Sequence, residues 1–272
     1  MNDGSDPKDR NFVSALARGL DVLSCFRPHE TVLSNQDIAA RTGLPKPTVS
    51  RLPNTFPSPD SLAIHPRTRP SRLRAGVLSR VSGVLSGLPV TDRAAVTMRS
   101  LCDNGPNRYV TCALAERHRF EMIYVAVQRS TEDVSLTMSV GSRLPLFFSA
   151  VGRAVLVAMD PAEREAIFSQ ARDADPAGFD RMEMRFEAAE ADYRKLGYCR
   201  SFGEWREDVN GIAVPVRALG VAGIYGLNIG GPAFLVPADV LEADYAADLI
   251  DAARVISMQP EQGPYENRTA KP

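Results

Sequence analysis

Seven of the twenty prolines fall between Pro45 and Pro70, and no long helix can run through that stretch. A proline inside a helix removes one N–H donor and drives its ring against the carbonyl four residues back, at a cost of about 3 kcal/mol. The segment RTGLPKPTVSRLPNTFPSPD, residues 41–60, therefore begins a helix that it cannot continue. Pro45 and Pro47 are tolerated, because first-turn N–H groups have no intrahelical acceptor. Pro53 is not, and it pushes Leu52 out of the α region. The expectation is a short helix that ends near Leu52.

The residues before it prepare for such a helix. Phe12, Leu16, Leu20, Leu23 and Phe26 recur at the spacing of one helix face, and Pro28 closes that helix. Ser34 is placed to cap a second helix running to Thr42, with Asp37 as its capping-box partner. Ile38 and Ala39 are expected to point inward, Gly43 to make the sharp C-terminal turn, and Leu44 to plug the corner. Helix, short helix, glycine turn, helix is a helix-turn-helix. Beyond the prolines, Leu62–Ile64 and 71–74 suit short strands of a wing, with Arg67 and Arg69 on the loop between them.

Charge points the same way. The chain carries a formal net charge of −1, yet residues 41–80 hold eight Lys and Arg against one acid, Asp60. A cationic cluster of this kind is the electrostatic footprint of a phosphate-binding module. The residues expected to face double-stranded DNA are Arg41, Lys46, Thr48, Ser50 and Arg51 around the third helix, plus Arg67 and Arg69 in the wing. Reading helices contact DNA through their N-terminal residues.

Residues 76–90 read as a helical linker, and the remainder as a mixed domain. A helix from Thr91 carries Val96, Met98 and Leu101. Residues 109–115 and 122–127 form a hairpin around a turn at 116–120, and residues 134–140 alternate as a third strand. Helices are expected at 149–159, 161–171, 182–196 and 237–258, the last with Leu241, Tyr245, Leu249 and Ala252 on one face. Strands are expected at 211–218 and 221–229, and residues 259–272 as a disordered tail. Antiparallel strands with helices before, between and after them define an α+β class. Ser149, Ala150, Val151 and Gly152 open one of those helices, and its free N–H groups favour an anion.

Other chemistries lack their motifs. Gly220, Gly223 and Gly226 do not form a dinucleotide fingerprint, and no phosphate loop or nucleophile elbow occurs. Glu204, Glu207 and Asp208 read as a charged turn. Four scattered cysteines and three scattered histidines give no metal-ligand spacing and no general-base arrangement. No cofactor, metal or catalytic residue is expected. The polar N-terminus lacks the regions of a signal peptide, no apolar run reaches the length of a membrane span, and a cytoplasmic protein is expected.

NFVSALARGLDVLSCF and LSNQDIAARTGLPKPTVSRL resemble the N-terminus of the IclR family of bacterial transcription regulators, nearest to members governing aromatic-acid (β-ketoadipate) catabolism. VGSRLPLFFSAVGRAVLVAM, LGYCRSFGEWREDVNGIAVPV and GLNIGGP resemble the family's effector domain. The resemblance implies a winged helix-turn-helix at 11–75 joined to a GAF-like effector-binding domain at 91–258. It also implies homodimers, with further pairing to tetramers in relatives. Family pocket positions fall at Leu136, Leu144, Ala150, Val151, Ser201, Val209, Gly211, Asn228 and Gly230, with Glu204 and Trp205 at the mouth. Such a pocket suits a small organic or aromatic acid. Some relatives carry Asp or Cys where Ser201 and Gly211 stand. The departure is the proline segment, where relatives continue the reading helix and build a fuller wing. Two explanations stand: a shortened but working reader, or a pair of compensating frameshifts that leaves a ligand-binding protein with a degenerate head.

Overall fold

A reciprocal cap sets the geometry of the first unit. The computed structural model describes residues 13–28, 30–51, 62–64, 71–73, 87–129, 138–218 and 223–258. The chain divides into two compact units, Met1–Val84 and Leu85–Pro272. In the first, helix α2 (Asn35–Thr42) begins where the Asp37 N–H donates to Ser34 Oγ at 3.1 Å and the Ser34 N–H donates to Asp37 Oδ2 at 2.8 Å. It ends on Gly43, left-handed at φ 69°, a conformation in which a side chain is strained. The turn aims α3 (Lys46–Arg51) away from α2. Val49 of α3, Ile38 of α2, Leu33, Val22 of α1 (Ser14–Ser24) and its C-cap Cys25 form the small core.

Hydrogen bonds from Ser34 hold the Asp37 carboxyl below its ordinary pKa. The cap's contribution is therefore present above the unfolded carboxylate pKa and is lost as pH falls through the lowered native value. Ser34→Ala should cost this unit about 1 kcal/mol and flatten that acid dependence. Helicity followed by circular dichroism on acid titration measures both; an unchanged acid limb in the variant would refute the assignment.

Strand β1 (Val32–Leu33) joins the wing strands β2 (Leu62–Ile64) and β3 (Ser71–Leu73) in an antiparallel sheet of order β1-β3-β2. Ala63 pairs with Arg72 and Val32 pairs with the same residue from the other side. The α1 stripe departs from expectation. Leu16 and Leu20 are exposed, and the buried residues are Val22 and Cys25, because the core of this unit meets only the C-terminal half of α1. Arg67, Arg69, the Pro53–Asp60 stretch, the linker over 76–86, Leu136 and the tail 259–272 lie outside the described residues.

The second unit is one antiparallel sheet with helices on both faces. Its order is β6-β5-β4-β9-β8-β7, with β4 (Thr111–His118), β5 (Glu121–Arg129), β6 (Arg143–Pro145), β7 (Cys199–Phe202), β8 (Val209–Val216) and β9 (Tyr225–Pro232). Strand alternation sorts the side chains. Cys112, Leu114, Ile212, Val214, Leu227 and Ile229 face α4 (Pro89–Asp103) and α8 (Ala238–Met258). Ala113, Ala115 and Ala213 face α5 (Ala150–Ala158), α6 (Pro161–Ala174) and α7 (Phe179–Leu196). The small residues on that second face let α5 lie close. A Cβ at Gly226 would stand 2.9 Å from the Val151 carbonyl oxygen.

Several sequence expectations are corrected here. Val96 is exposed, and α4 packs through Val90, Ala94, Met98, Leu101 and Cys102. The hairpin turn is only Arg119–Phe120, with Arg119 at φ 53°, so β4 and β5 extend through charged residues. Met138–Val140 are not strand; the outer partner of β5 is β6 instead. β7, unanticipated, supplies the opposite edge. The strands expected at 211–218 and 221–229 start and stop elsewhere, at Val209–Val216 and Tyr225–Pro232.

Candidate functional site

The α5 face of the sheet carries a cavity between strands and helix N-terminus. Thr111 of β4, Tyr124 of β5, Met138, Leu144 of β6, Ser149–Val151, Ser201 of β7, Trp205, Val209–Gly211 of β8, and Asn228 and Gly230 of β9 line it. Every described position that the family resemblance implied for a ligand is among them: Leu144, Ala150, Val151, Ser201, Val209, Gly211, Asn228 and Gly230. Thr111, Tyr124, Met138 and Asn210 complete the wall and were not anticipated. The space exists because Gly211 and Gly230 are register partners and leave the sheet bare at that point. Gly230 is sterically required, since a Cβ there would press on the Asn210 carbonyl. Gly211 is not: a Cβ would meet only the Ile229 carbonyl oxygen, at 3.7 Å. The space between the atoms, mouth included, is about 470 Å³, of which about 30 Å³ admits the centre of a water molecule.

Among the described residues no charged side chain lines this cavity. Its positive end is made of backbone. Ser149 caps α5, accepting from the Gly152 N–H at 3.2 Å and donating to the Pro145 carbonyl at 2.7 Å. Among the described residues the Ala150 and Val151 N–H groups have no backbone acceptor. Such a terminus favours a carboxylate. Leu144, Val151, Met138, Val209 and the Trp205 ring supply apolar walls. Deeper in, Asn228 Nδ2 donates to the Tyr124 hydroxyl at 3.0 Å. Burial pushes the Tyr124 phenol far above its usual pKa, against the opposing pull of that bond, so it stays neutral.

The mouth is tied down by Glu204, which pairs with Arg153 of α5 and with Arg185 of α7, the latter at 3.0 Å. Arg153 is the feature that motif reading missed. Its Nε donates to the Phe147 carbonyl at 2.9 Å and its Nη1 to the Arg200 carbonyl at 2.7 Å. Ser201 Oγ donates to the Phe148 carbonyl at 2.9 Å. These bonds fix the segment that opens α5.

The first unit presents a different surface. Lys46, Ser50 and Arg51 are exposed on α3 and Thr48 is half-buried. Ser50 is also braced, accepting from Asn35 Nδ2 at 3.2 Å and donating to the Lys46 carbonyl at 3.0 Å. Arg41 is exposed as well, and it donates to the Cys25 carbonyl at 2.9 Å and pairs with Glu30. That engagement anchors α2 to the end of α1.

Comparison with known proteins places both units. The model of the bacterial transcriptional regulator IclR C-terminal domain matches residues 82–258, and that of the IclR helix-turn-helix domain matches residues 15–56. The chain belongs to the IclR family. It is similar to the HTH-type transcriptional regulator TsaQ1/TsaQ2 of Comamonas testosteroni, 30% identical over 235 residues covering 86% of this chain and 83% of that protein. The crystal structure of an IclR-family regulator from Brucella abortus superposes with a TM-score of 0.80 at 39% identity, covering 94% of this chain and 95% of the other. An IclR homolog from Microbacterium hydrocarbonoxydans, solved as a complex with 4-hydroxybenzoate, shares the fold at 24% identity and a TM-score of 0.63, covering 89% of this chain and 97% of its own. The IclR chain is thus a transcriptional regulator with an N-terminal DNA-binding helix-turn-helix and a C-terminal effector domain.

Burial pushes the Cys102 thiol up to about 11 and the Cys199 thiol up to about 12, which leaves neither as a thiolate near neutrality. Among the described residues no cluster of His, Cys, Asp or Glu is placed to hold a metal ion, and no helix is long and apolar enough to cross a membrane.

Proposed function

We propose that this regulator senses a small organic acid, aromatic in its simplest form, and controls genes for that compound's catabolism. The cavity carries the reading. Its walls are apolar, its described lining holds no charged side chain, and its polar end is a helix N-terminus, a composition suited to a carboxylate on a compact apolar body. A fold relative bound to 4-hydroxybenzoate supports the same class. The acid docks its carboxylate on the Ala150 and Val151 amides, with Leu144, Val209, Gly211 and Gly230 around its body, and Leu136 joins them as the family pattern implies. The effector is bound and released unchanged, without catalysis, cofactor or metal, in the cytoplasm.

The reader is 11–75, the linker 76–90 and the sensor 91–258. Lys46, Thr48, Ser50 and Arg51 enter the major groove, Arg67 and Arg69 touch the backbone or minor groove, and Arg41, exposed at the end of α2, adds a cation facing the DNA while it holds α2 to the end of α1. Two such readers in a homodimer, itself able to pair into a tetramer, engage successive half-sites. The effector binds one dimer geometry better than the other and shifts the population toward it.

The test is a gel shift on the promoter regions flanking the gene, with and without aromatic acids. Wild type should shift DNA and respond to one of them. Arg51→Ala should weaken binding by about 1–3 kcal/mol, and Ala150→Trp should remove the response while the shift persists. Acid binding with no DNA shift at any salt concentration would favour a sensor whose head no longer reads DNA. Consumption of the acid would make the protein an enzyme.

A further inference from the structure

The sensor unit holds a second cavity, which shares no lining residue with the first. Leu146, Phe147 and Phe148, Phe120 of the β4–β5 turn and Met182 of α7 line it. Ala171 and Ala174 of α6 line it as well. Two alanines three positions apart are neighbours on one helix face, and their small side chains leave the space open. Among the described lining residues Asp175 alone carries a polar side chain, and its Oδ1 already accepts from the Gly178 N–H at 3.0 Å. The space between the atoms, mouth included, is about 440 Å³, of which about 170 Å³ admits the centre of a water molecule.

Size and chemistry define the guest. An apolar cavity of roughly 150 Å³ lined by Leu, Ile and Phe stays dry and takes up benzene. Aromatic walls suit a ring: Phe120 and Phe147 stand 6.5 Å apart between centroids, towards the far limit of ring contact, whereas Phe147 meets Phe168 edge-on at 5.3 Å. The Asp175 carboxylate repels a second carboxylate at close range, so the acid of the first cavity is a poor guest here.

The two spaces lie along one stretch of chain. Leu144 and Ser149–Val151 line the first cavity, and Pro145–Phe148 line the second. The backbone between them is held by Arg153 on the Phe147 carbonyl and by Ser201 on the Phe148 carbonyl. The Leu146–Phe148 side chains border empty space, and side chains lining a void forfeit the contacts a filled space would give them.

We propose that this cavity is a second small-molecule site, for an uncharged one-ring arene. Its occupant braces Leu146–Phe148 and so strengthens acid binding at the Ala150 and Val151 amides. The site stands apart from the effector reading above; the coupling rests on it.

Methionine-methyl NMR on the full chain with toluene tests the site. The Met182 methyl should shift on titration, and the Met138 methyl, which reports on the first cavity, should not. Benzoate should do the reverse. Ala174→Phe and Met182→Trp each fill the cavity, and whichever melts no lower than wild type should lose toluene binding. No Met182 shift with toluene, or a shift of Met138 in its place, would overturn the site, as would undiminished toluene binding in a folded filling variant. Calorimetry with 4-hydroxybenzoate tests the coupling. Saturating toluene should tighten acid binding about fivefold or more, and by reciprocity the acid should tighten toluene by the same factor. Unchanged acid affinity would overturn the coupling, and mutual exclusion would show that toluene enters the first cavity. Met182 shifting with toluene while no acid binds would leave the arene site standing and sink the effector reading.

Discussion

Replacing Arg153 by Met should destabilise the sensor unit by about 3–5 kcal/mol, the usual cost of removing one partner from a buried ion pair. The guanidinium is 3% exposed. It pairs with Glu204 and satisfies the carbonyls of Phe147 and Arg200, with a longer bond to that of Phe148 at 3.4 Å. Methionine matches the stem and offers none of these donors. Phe148 keeps Ser201 and Glu204 keeps Arg185, but the Phe147 and Arg200 carbonyls lose the donors Arg153 supplied. Chemical denaturation of the second unit measures the loss, and a change under about 1 kcal/mol, the worth of one ordinary hydrogen bond, would refute the role. The same variant should bind effector poorly, because Leu146–Ser149 both receives these bonds and opens α5.

Arg153 also shows where sequence reading stops. It is the one charge in AVGRAVLVA, an anomaly in an otherwise apolar helix, yet nothing local says that it reaches Arg200 or Glu204 some fifty positions on. What was legible was local. The Ser34–Asp37 box, the Gly43 turn, the wing strands at Leu62–Ile64 and Ser71–Leu73, and the buried face of α8 all announce themselves within a few residues. Periodicity identifies stripes without saying which residues find a partner: Leu16 and Leu20 share the apolar face of α1 and Val96 lies on α4, yet all three are exposed. Short edge strands gave too few residues to alternate: β6 has three and β7 four, and β7 carries Arg200 and Ser201. The β4–β5 turn reads as 116–120 but is narrower, because a non-glycine, Arg119, takes the positive φ and lets pairing run to His118 and Glu121.

The cavity divides along the same line. Its family positions came from motif resemblance, whereas Thr111, Tyr124 and Asn210 depend on which strands lie side by side. β4 sits next to β9, more than a hundred residues away in sequence, and no short-range pattern reports that pairing. That the Thr111 hydroxyl is buried without a hydrogen-bond partner among the described residues is visible only once the sheet is assembled. In isolation a threonine at the start of a strand is an ordinary β-former.

Two glycine-to-alanine changes in helices should have opposite signs, and the larger effect belongs to Gly152. In an exposed helix interior alanine is favoured over glycine by about 1 kcal/mol. Gly19 of α1 meets that condition, since a Cβ there has nothing within 4 Å, and Gly19→Ala should stabilise the first unit by up to about that amount. At Gly152 a Cβ would overlap the Leu146 carbonyl oxygen and lie 2.6 Å from its carbon and 2.7 Å from Leu146 Cα. All three atoms are backbone, held by the Arg153 and Ser149 bonds on either side, so no rotamer change relieves the overlap. Overpacking of this kind costs roughly 1–3 kcal/mol and occasionally more, which outweighs the propensity gain. To make room, the first turn of α5 must shift off Leu146–Ser149, and the Ala150 and Val151 amides move with it. Gly152→Ala should therefore lower the melting midpoint of the sensor unit and weaken acid binding by about tenfold or more, the equivalent of 1.4 kcal/mol. Denaturation resolved for each unit, with calorimetry on the same samples, reads both signs. A Gly152→Ala protein as stable as wild type with unaltered acid affinity would mean that α5 does not press on this segment, and the account of how the helix terminus is held against the cavity would fall.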